Sequence, residues 1–490
     1  MRERELKFIV PDGFSWTDVD LGKDLRVTAQ DPIHYDTVYV DTSDLRLAGW
    51  GCSLRHRSGE GWTLKLAPSA DGALLERPEL EFRDASEVPV AALAIVAAYL
   101  RGSVVRPAVT LQTVRTPYRV EDGDLHLLGI ATVDDVSVRG RGGASFREAE
   151  LELAEGVPGS FAKQVRKRMK KSGAGRPDPT PKYLRALGAK ARPNADIVLP
   201  QVDQARSLGD LALSAIAGGT MRLLQNDPLV RAGGDDEAVH QARVATRRLR
   251  SDLRTFHELL DPVWAADLLA ELKWLGTLIG ELRDTDVLRR RVQGRIAALP
   301  ASSREGADRV LRALDARRRR ARRSLMTGMV EERYTRLVET LLRTSRNPGF
   351  DPARSSRRVS AALVFLEDPV RKLRRAVGRL PARPSDPALH DIRIRAKRVR
   401  YAAEAVAPGL GKRASAVATA AAGLQDVLGE HQDAVVAQEW LESRLPKADE
   451  AETAVLNRLI RAERAAARQS RVQWRAAWDE LEQRLKKAEL

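Results

Sequence analysis

Two rhythms of apolar and polar positions divide the chain. Over residues 1–155 the alternation has a period of two, in short runs such as VYVDT, SLRHR, WTLKL, ELEF, YRV, ATVDDVSV and EAELEL. Turn signals at Pro11-Asp12-Gly13, Gly59-Glu60-Gly61 and Gly140 to Gly143 separate them. Seven or eight strands at this spacing predict an antiparallel sheet or barrel, with helical interludes near 89–101 and 159–172. After the Pro- and Gly-rich stretch GAGRPDPTPKYLRALGAKARPNADIVLP (173–200) the period becomes helical, in a sequence rich in Ala, Leu and Arg. Breaks are expected near Pro262, Pro300, 347–353, 381–387, Pro408 and Pro446. The expected fold class is multidomain α+β: a β-rich domain over 1–188, a linker over 189–200 and an all-α bundle over 201–490.

The helical part repeats itself. VHQARVATRRLRSDLR from Val239 matches LHDIRIRAKRVRYAAE from Leu389 at an offset of 150, and LGTLIGELRDTDV (275–287) matches LQDVLGEHQDAVV (424–436) at 149. Two related halves of four helices each are predicted.

Charge sharpens the division. Residues 1–188 carry 27 basic and 27 acidic side chains, so the rest of the chain holds the whole net charge of +16 and should attract polyanions. One cysteine, Cys52, excludes an internal disulfide and suits a reducing cytosol. The N-terminus has no apolar signal-peptide stretch, and Val88 to Leu100 is too short to span a bilayer. A cytoplasmic protein, associated with polyphosphate granules and without membrane partners, is expected.

In the opening MRERELKFIV, Glu3, Glu5 and Lys7 share one strand face. Arg55 and Arg57 share a face in SLRHR, Lys65 lies on the next strand, Glu79 and Glu81 share a face in ELEF, and Glu148, Glu150 and Glu152 share one opposite Leu151 and Leu153. Each strand alone reads as half-buried with a solvated charged side. Together, strands of both signs could close into a barrel with a polar interior and a helix-covered exterior. Basic groups there would bind phosphate oxygens through charge-assisted hydrogen bonds. Clustered carboxylates among them need a divalent cation, Mg²⁺ or Mn²⁺, to offset their repulsion.

ERELK resembles the E-x-E-x-K signature of the CYTH family, the triphosphate tunnel metalloenzymes. The likeness continues in family order through YVDTSDLRLAGWGCSLRHR, WTLKL, ERPELE, TVRTPYRV, ATVDD, AELELAEG and PKYLRAL. It implies an eight-stranded antiparallel tunnel that hydrolyses triphosphate groups with a metal. By this resemblance Glu3, Glu5, Asp134, Glu150 and Glu152 are the metal-site acids, and Arg55, Arg57, Lys65, Arg115 and Lys182 bind substrate phosphates. Glu3, Glu5, Lys7, Arg57 and Lys65 form the catalytic set, acting through a metal-positioned water rather than a Ser or Cys nucleophile. Pro181 stands before Lys182 where the family often has Ser.

On a helical wheel, His240, Arg243, Arg247, Arg250 and Arg254 fall within about 80° of one another, opposite Ala242, Ala245, Leu249, Leu253, Phe256 and Leu260. The second copy sets His390, Arg393, Lys397 and Arg400 against Ile392, Val399, Ala403 and Val406. An ordinary wet helix face mixes charge signs, whereas these stripes do not. VHQARVATRRLR, GELRDTDV, LHDIRIRAKRVRY and GEHQDAVV resemble the CHAD domain, which implies a helical bundle binding inorganic polyphosphate through a basic groove. His240, Arg243, Arg247, Arg250, His390, Arg393, Lys397 and Arg400 are the expected polyphosphate contacts. The run RRRRARR (317–323) reads as solvated helix surface.

The sequence therefore predicts a metal-dependent hydrolase of inorganic triphosphate or short polyphosphate with an attached polyphosphate-binding module. A nucleoside or thiamine triphosphatase, an adenylate cyclase and a non-catalytic polyphosphate scaffold are the alternatives. Nucleic acid is disfavoured because the stripes lack interleaved aromatics for base stacking.

Overall fold

The computed structural model describes residues 2–22, 24–71, 74–140, 144–175, 177–188, 191, 193, 196–201, 205–233 and 236–490, with backbone alone for 2, 3, 69–71, 74 and 75. The chain divides into two compact units, Met1–Asp196 and Ile197–Leu490, so the expected linker straddles the division. Asp196 is held to the first unit by Trp50 and Arg101 at 2.7 and 2.8 Å.

The first unit contains β1 (Arg2–Ile9), β2 (Leu25–Ala29), β3 (Ile33–Asp41), β4 (Ser53–Arg57), β5 (Gly61–Lys65), β6 (Ser69–Asp71), β7 (Leu74–Phe82), β8 (Arg106–Asp122), β9 (Leu127–Val138) and β10 (Ser145–Leu153). Its helices are α1 (Arg46–Gly49), α2 (Val90–Ile95), α3 (Ala97–Leu100), α4 (Gly159–Lys171) and α5 (Lys182–Leu187). Antiparallel pairing runs β1-β10-β9-β8-β3-β4-β5-β7 and returns to β1, closing an eight-stranded barrel; β2 and β6 are appended to β8 and β7.

The barrel is apolar on the outside of one wall. Leu6 and Phe8 of β1, Val133 of β9 and Leu151 of β10 pack with Phe161, Val165 and Met169 of α4 and with Trp16. Fully burying side chains of this size stabilises by about 1.5–3 kcal/mol each, enough to fix which face of each strand turns outward. Because strand side chains alternate, Glu5 and Lys7 must then point into the bore.

The second unit is mostly helical: α6 (Leu208–Ala232), α7 (Asp236–Thr255), α8 (Pro262–Ile296), α9 (Arg304–Val330), α10 (Glu332–Arg346), α11 (Pro352–Ser355), α12 (Val364–Gly378), α13 (Asp386–Leu410), α14 (Lys412–Arg444) and α15 (Glu450–Lys487). Local chemistry sets the helix starts: a capping box between Ser207 and Asp210 opens α6, and the Asp261 side chain caps α8 ahead of Pro262. The expected break at Pro408 falls later. The helix runs through Pro408 to Leu410, so near its end that one lost hydrogen bond is tolerated, and Gly411 at φ +67° ends it.

Equivalent helices of the two copies meet each other, α7 with α13, α8 with α14 and α9 with α15. Leu288, Val292, Val310 and Leu314 of the first copy share one core with Leu441, Val455, Leu456 and Leu459 of the second. No helix among the described residues is long and apolar enough to cross a membrane.

Candidate functional site

The bore of the barrel holds a cavity of ≈ 110 Å³. Its described lining includes three carboxylates, Glu5, Glu150 and Glu152, against seven cations, Lys7, Arg55, Arg57, Lys65, Arg77, Arg115 and Lys182. The surplus is positive, as a multiply charged anion would require.

One belt of the bore is internally neutralised. Strand register sets Lys7 opposite Glu150, and Arg115 opposite Asp134. Lys7 lies 3.0 Å from Glu148 and 3.3 Å from Glu150; Arg115 donates to both oxygens of Asp134 at 2.7 Å and to Glu150 at 3.1 Å. Lys182 enters the belt from α5, donating to Asp134 and lying 3.1 Å from both Glu148 and Glu150. Tyr183 anchors α5 by donating to the Cys52 carbonyl at 3.0 Å and stacking on Tyr39 at 5.0 Å.

The protonation states follow from these pairs. Burial would raise Glu150, but Lys182, Lys7 and Arg115 hold its carboxyl well below the usual range, and Lys182 and Arg115 likewise overcome the burial of Asp134. Burial would lower Lys182, but Asp134, Glu150 and Glu148 keep it charged well above the ordinary lysine value. Glu150, Asp134 and Lys182 stay ionised at neutral pH.

The facing wall is less satisfied. Arg55 and Lys65 reach Glu79 at 3.9 and 3.6 Å, Arg55 also bonds to Tyr39, and Arg77 reaches Glu5 at 3.8 Å. Arg57 stacks on the Tyr35 ring at 4.1 Å and pairs with Glu60 at 2.9 Å. The Nε atoms of Arg55, Arg57 and Arg77 are buried without a hydrogen-bond partner among the described residues. Buried donors normally find acceptors, so these three mark where an anion's oxygens belong.

Glu5 and Glu152 are direct cross-strand partners, and both line the cavity. Like charges directly opposite each other are destabilising, and a divalent cation between them removes the repulsion. These two carboxylates, lining one cavity, therefore fit a divalent metal. Asp134 and Glu150 instead sit inside the ion-paired belt. The backbone of Glu3 pairs with Arg77, while its side chain lies outside the described ones. The described His and acidic groups close enough to share an ion are elsewhere: Asp122, Asp124 and His126 in the β8–β9 turn.

Sequence reasoning did not assign Arg77, Glu148, Tyr35 or Tyr39 to this site. Arg77 shares a strand face with Glu79, and Glu148 with Glu150, so the period-two signal was present for both.

In the helical unit the two basic stripes converge. Arg243 donates to the Gly276 carbonyl and lies against Gly280, where a Cβ would meet its Cζ at 2.8 Å. Arg393 lies on Gly429, the equivalent glycine of the second copy. Arg247 and Arg400 approach the Tyr401 ring at 5.4 and 5.8 Å. Burial, then Arg393, Arg247 and Arg243, push the Lys397 ammonium down to about 7, against the pull of Asp433. Among the described residues Arg243, Arg247, Arg250, Arg393 and Lys397 form no ion pair. The Nε atoms of Arg247, Arg250 and Arg393 and Nδ1 of His390 are buried without a hydrogen-bond partner among the described residues.

Two expected contacts differ from this set. Arg400 pairs with Glu404 at 2.8 Å, and Glu404 also holds Arg248 at 2.8 Å. His240 lies near Arg283 and Arg290; burial and these charges keep it below the ordinary histidine value. Asp284 and Asp433, equivalent acids of the repeated GELRDTDV and GEHQDAVV motifs, act electrostatically on Arg243 and Arg393 and were not singled out from the sequence. Within RRRRARR, Arg318 is structural, bound to Asp286 and Asp236 at 2.6 and 2.8 Å.

The fold class is thus a charged β-tunnel joined to an internally duplicated helical bundle. The CYTH domain matches residues 1–183 and the CHAD domain residues 214–442. This chain belongs to the family that joins a CYTH domain to a CHAD domain. The uncharacterized proteins MT2285 and Rv2226 of Mycobacterium tuberculosis are each 31% identical over 500 residues, covering 95% of this chain and 93% of theirs. Among solved structures, PptA from Streptomyces chartreusis is 22% identical, covering 56% of this chain and 99% of that one with a TM-score of 0.47. The CHAD domain from the plant Ricinus communis is 25% identical, covering 60% and 96%, with a TM-score of 0.44.

Proposed function

We propose that the tunnel hydrolyses inorganic triphosphate or short polyphosphate with a divalent metal, Mg²⁺ or Mn²⁺, and that the helical unit binds polyphosphate. The observation that carries the first part is the bore itself, with seven cations, three buried orphan Nε donors and the opposed pair Glu5 and Glu152. Glu5 and Glu152, with Glu3, are the residues that would hold the metal. Such an ion supplies Lewis-acid polarisation of a phosphoryl oxygen and lowers the pKa of a bound water.

The chain's own groups do the rest. Arg55, Arg57, Lys65 and Arg77 bind and orient the phosphate oxygens by charge-assisted hydrogen bonds, and stabilise charge that builds on the transferred phosphoryl group. Lys7, Arg115 and Lys182, locked to Asp134, Glu148 and Glu150, hold a rigid charged wall that needs no reorganisation when substrate arrives. The lining offers mostly charged groups to a substrate, which favours an inorganic chain over a nucleoside or thiamine ester. In the helical unit, Arg243, Arg247, Arg393 and Lys397 together present an anion site wider than one phosphate, and a long chain can span both stripes.

Phosphate release from tripolyphosphate, long-chain polyphosphate, ATP and thiamine triphosphate, with Mg²⁺ or Mn²⁺, tests the reading. Fastest turnover of tripolyphosphate is expected. Release from none of the four would leave polyphosphate binding as the protein's role.

A further inference from the structure

A second cleft in the helical unit has a different character. It measures ≈ 560 Å³ and lies between the two copies, at the end of α7 and start of α8 on one side and α12 and α13 on the other. Its floor is apolar, formed by Leu253, Ala265, Leu269, Val364, Phe365 and Pro369. Arg254, His257, Lys372, Arg395 and Arg398 stand around it, with Glu258 and Asp368.

The rim charges are not equally engaged. Lys372 pairs with Asp368 at 2.6 Å and Arg395 with Asp391 at 2.7 Å. Arg254 and Arg398 have no ion-pair partner among the described residues. They are also close enough to act on each other: burial, then Arg250 and Arg398, hold the Arg254 guanidinium below its ordinary value. Two guanidiniums that line one cleft and have no ion-pair partner among the described residues form an anion seat. An inorganic chain would leave the apolar floor uncovered. Pockets of this volume with apolar walls and a few convergent polar groups commonly hold small organic molecules.

We propose that this cleft binds an organic phosphate, its ring-sized apolar body on the floor and its phosphate between Arg254 and Arg398. Nucleoside phosphates are the class with that shape. Arg254 ends the basic stripe of α7 one turn beyond Arg250, so the cleft adjoins the polyanion groove without sharing its central cations. The proposal stands independently of the tunnel's activity.

The test is a fluorescence titration of the full-length protein with N-methylanthraniloyl-ADP. Saturating tripolyphosphate and long-chain polyphosphate are present to occupy the tunnel and the groove. Saturable one-to-one binding is expected. Ala266→Trp places an indole in the cleft from an exposed position, and Arg398→Ala removes half of the anion seat from an exposed side chain. Arg398→Ala should weaken binding by about tenfold or more, the loss expected for one charge-assisted contact, and Ala266→Trp should weaken it at least as much by filling the cleft, while polyphosphate affinity in Ala266→Trp stays unchanged. Absence of saturable binding under these conditions would overturn the proposal. So would equal affinity in both variants, which would place the nucleotide elsewhere, and so would loss in Arg398→Ala alone, which would mean a surface charge effect without use of the floor.

Discussion

Lys397 stands where the first copy has Arg247, and the fold brings the two cations into one cluster. Arg393 on the same helix, Arg243 and Arg247 on α7 and Asp433 on α14 are the charges that act on it. An all-arginine cluster would be permanently charged, whereas one lysine with its pKa pushed down to about 7 makes this one sensitive to pH.

The sign is fixed by linkage. The folded value of about 7 lies below the ordinary lysine value of 10.5, so between them the unfolded chain binds more protons. The resulting destabilisation is fully present below the lower value and fades as pH rises toward the upper one. A bound polyanion reverses the shift, so binding takes up a proton and affinity should rise as pH falls through about 7. Calorimetry in two buffers of different ionisation enthalpy should register proton uptake with polyphosphate. Lys397→Arg should flatten the profile, and Lys397→Met should stabilise the free protein while weakening binding. Zero proton uptake near neutrality would refute the linkage.

Gly280→Ala tests the seat of Arg243. Alanine favours a helix interior by about 1 kcal/mol over glycine, so the helix itself should not suffer. The new Cβ would meet the Arg243 guanidinium at 2.8 Å and displace it. Polyphosphate affinity should fall several-fold with unchanged circular dichroism. Gly429→Ala, where the nearest Arg393 atom is 3.6 Å away, should have a smaller effect.

The tunnel acids should separate into two kinds. Glu5→Gln or Glu152→Gln should abolish metal-dependent hydrolysis and leave the thermal midpoint near wild type. Glu150→Gln removes a partner shared by Lys7, Arg115 and Lys182. Breaking a buried pair in this way costs on the order of 3 kcal/mol, so both activity and the midpoint should drop. Wild-type turnover by the Glu5 variant at saturating metal would remove the metal assignment.

Combining Arg243→Ala with Arg247→Ala should weaken long-chain polyphosphate binding by the full-length protein. Adding Arg393→Ala and Lys397→Ala should weaken it further and lower its salt dependence, since fewer counterions are released. Tripolyphosphate hydrolysis should change little, because none of these four residues belongs to the barrel. Calorimetry on the fourfold variant decides the matter: unchanged affinity would return the stripes to ordinary solvated surface.

The sequence by itself determined the elements and their faces. Period two placed Glu5 with Lys7, and Arg55 with Arg57, and the 150-residue offset paired Arg243 with Arg393. Those are local properties of a strand pleat and a helix turn. Whether a charged face looks at water or into a bore is decided by closure, here the β1–β7 pairing between residues some seventy positions apart. Closure brought Arg77 beside Glu5, while the β1–β10 pairing and the entry of α5 buried Glu148 between Lys7 and Lys182. The packing of α7 on α13 likewise turned two separate stripes into one cluster and set Tyr401 beside Arg247, while Glu404 drew off Arg400 and Arg248. Periodicity records which side chains share a face. Which faces meet is a long-range choice made by burying apolar surface elsewhere, by Leu6 and Phe8 under α4 and by Leu441 and Leu456 between the two copies.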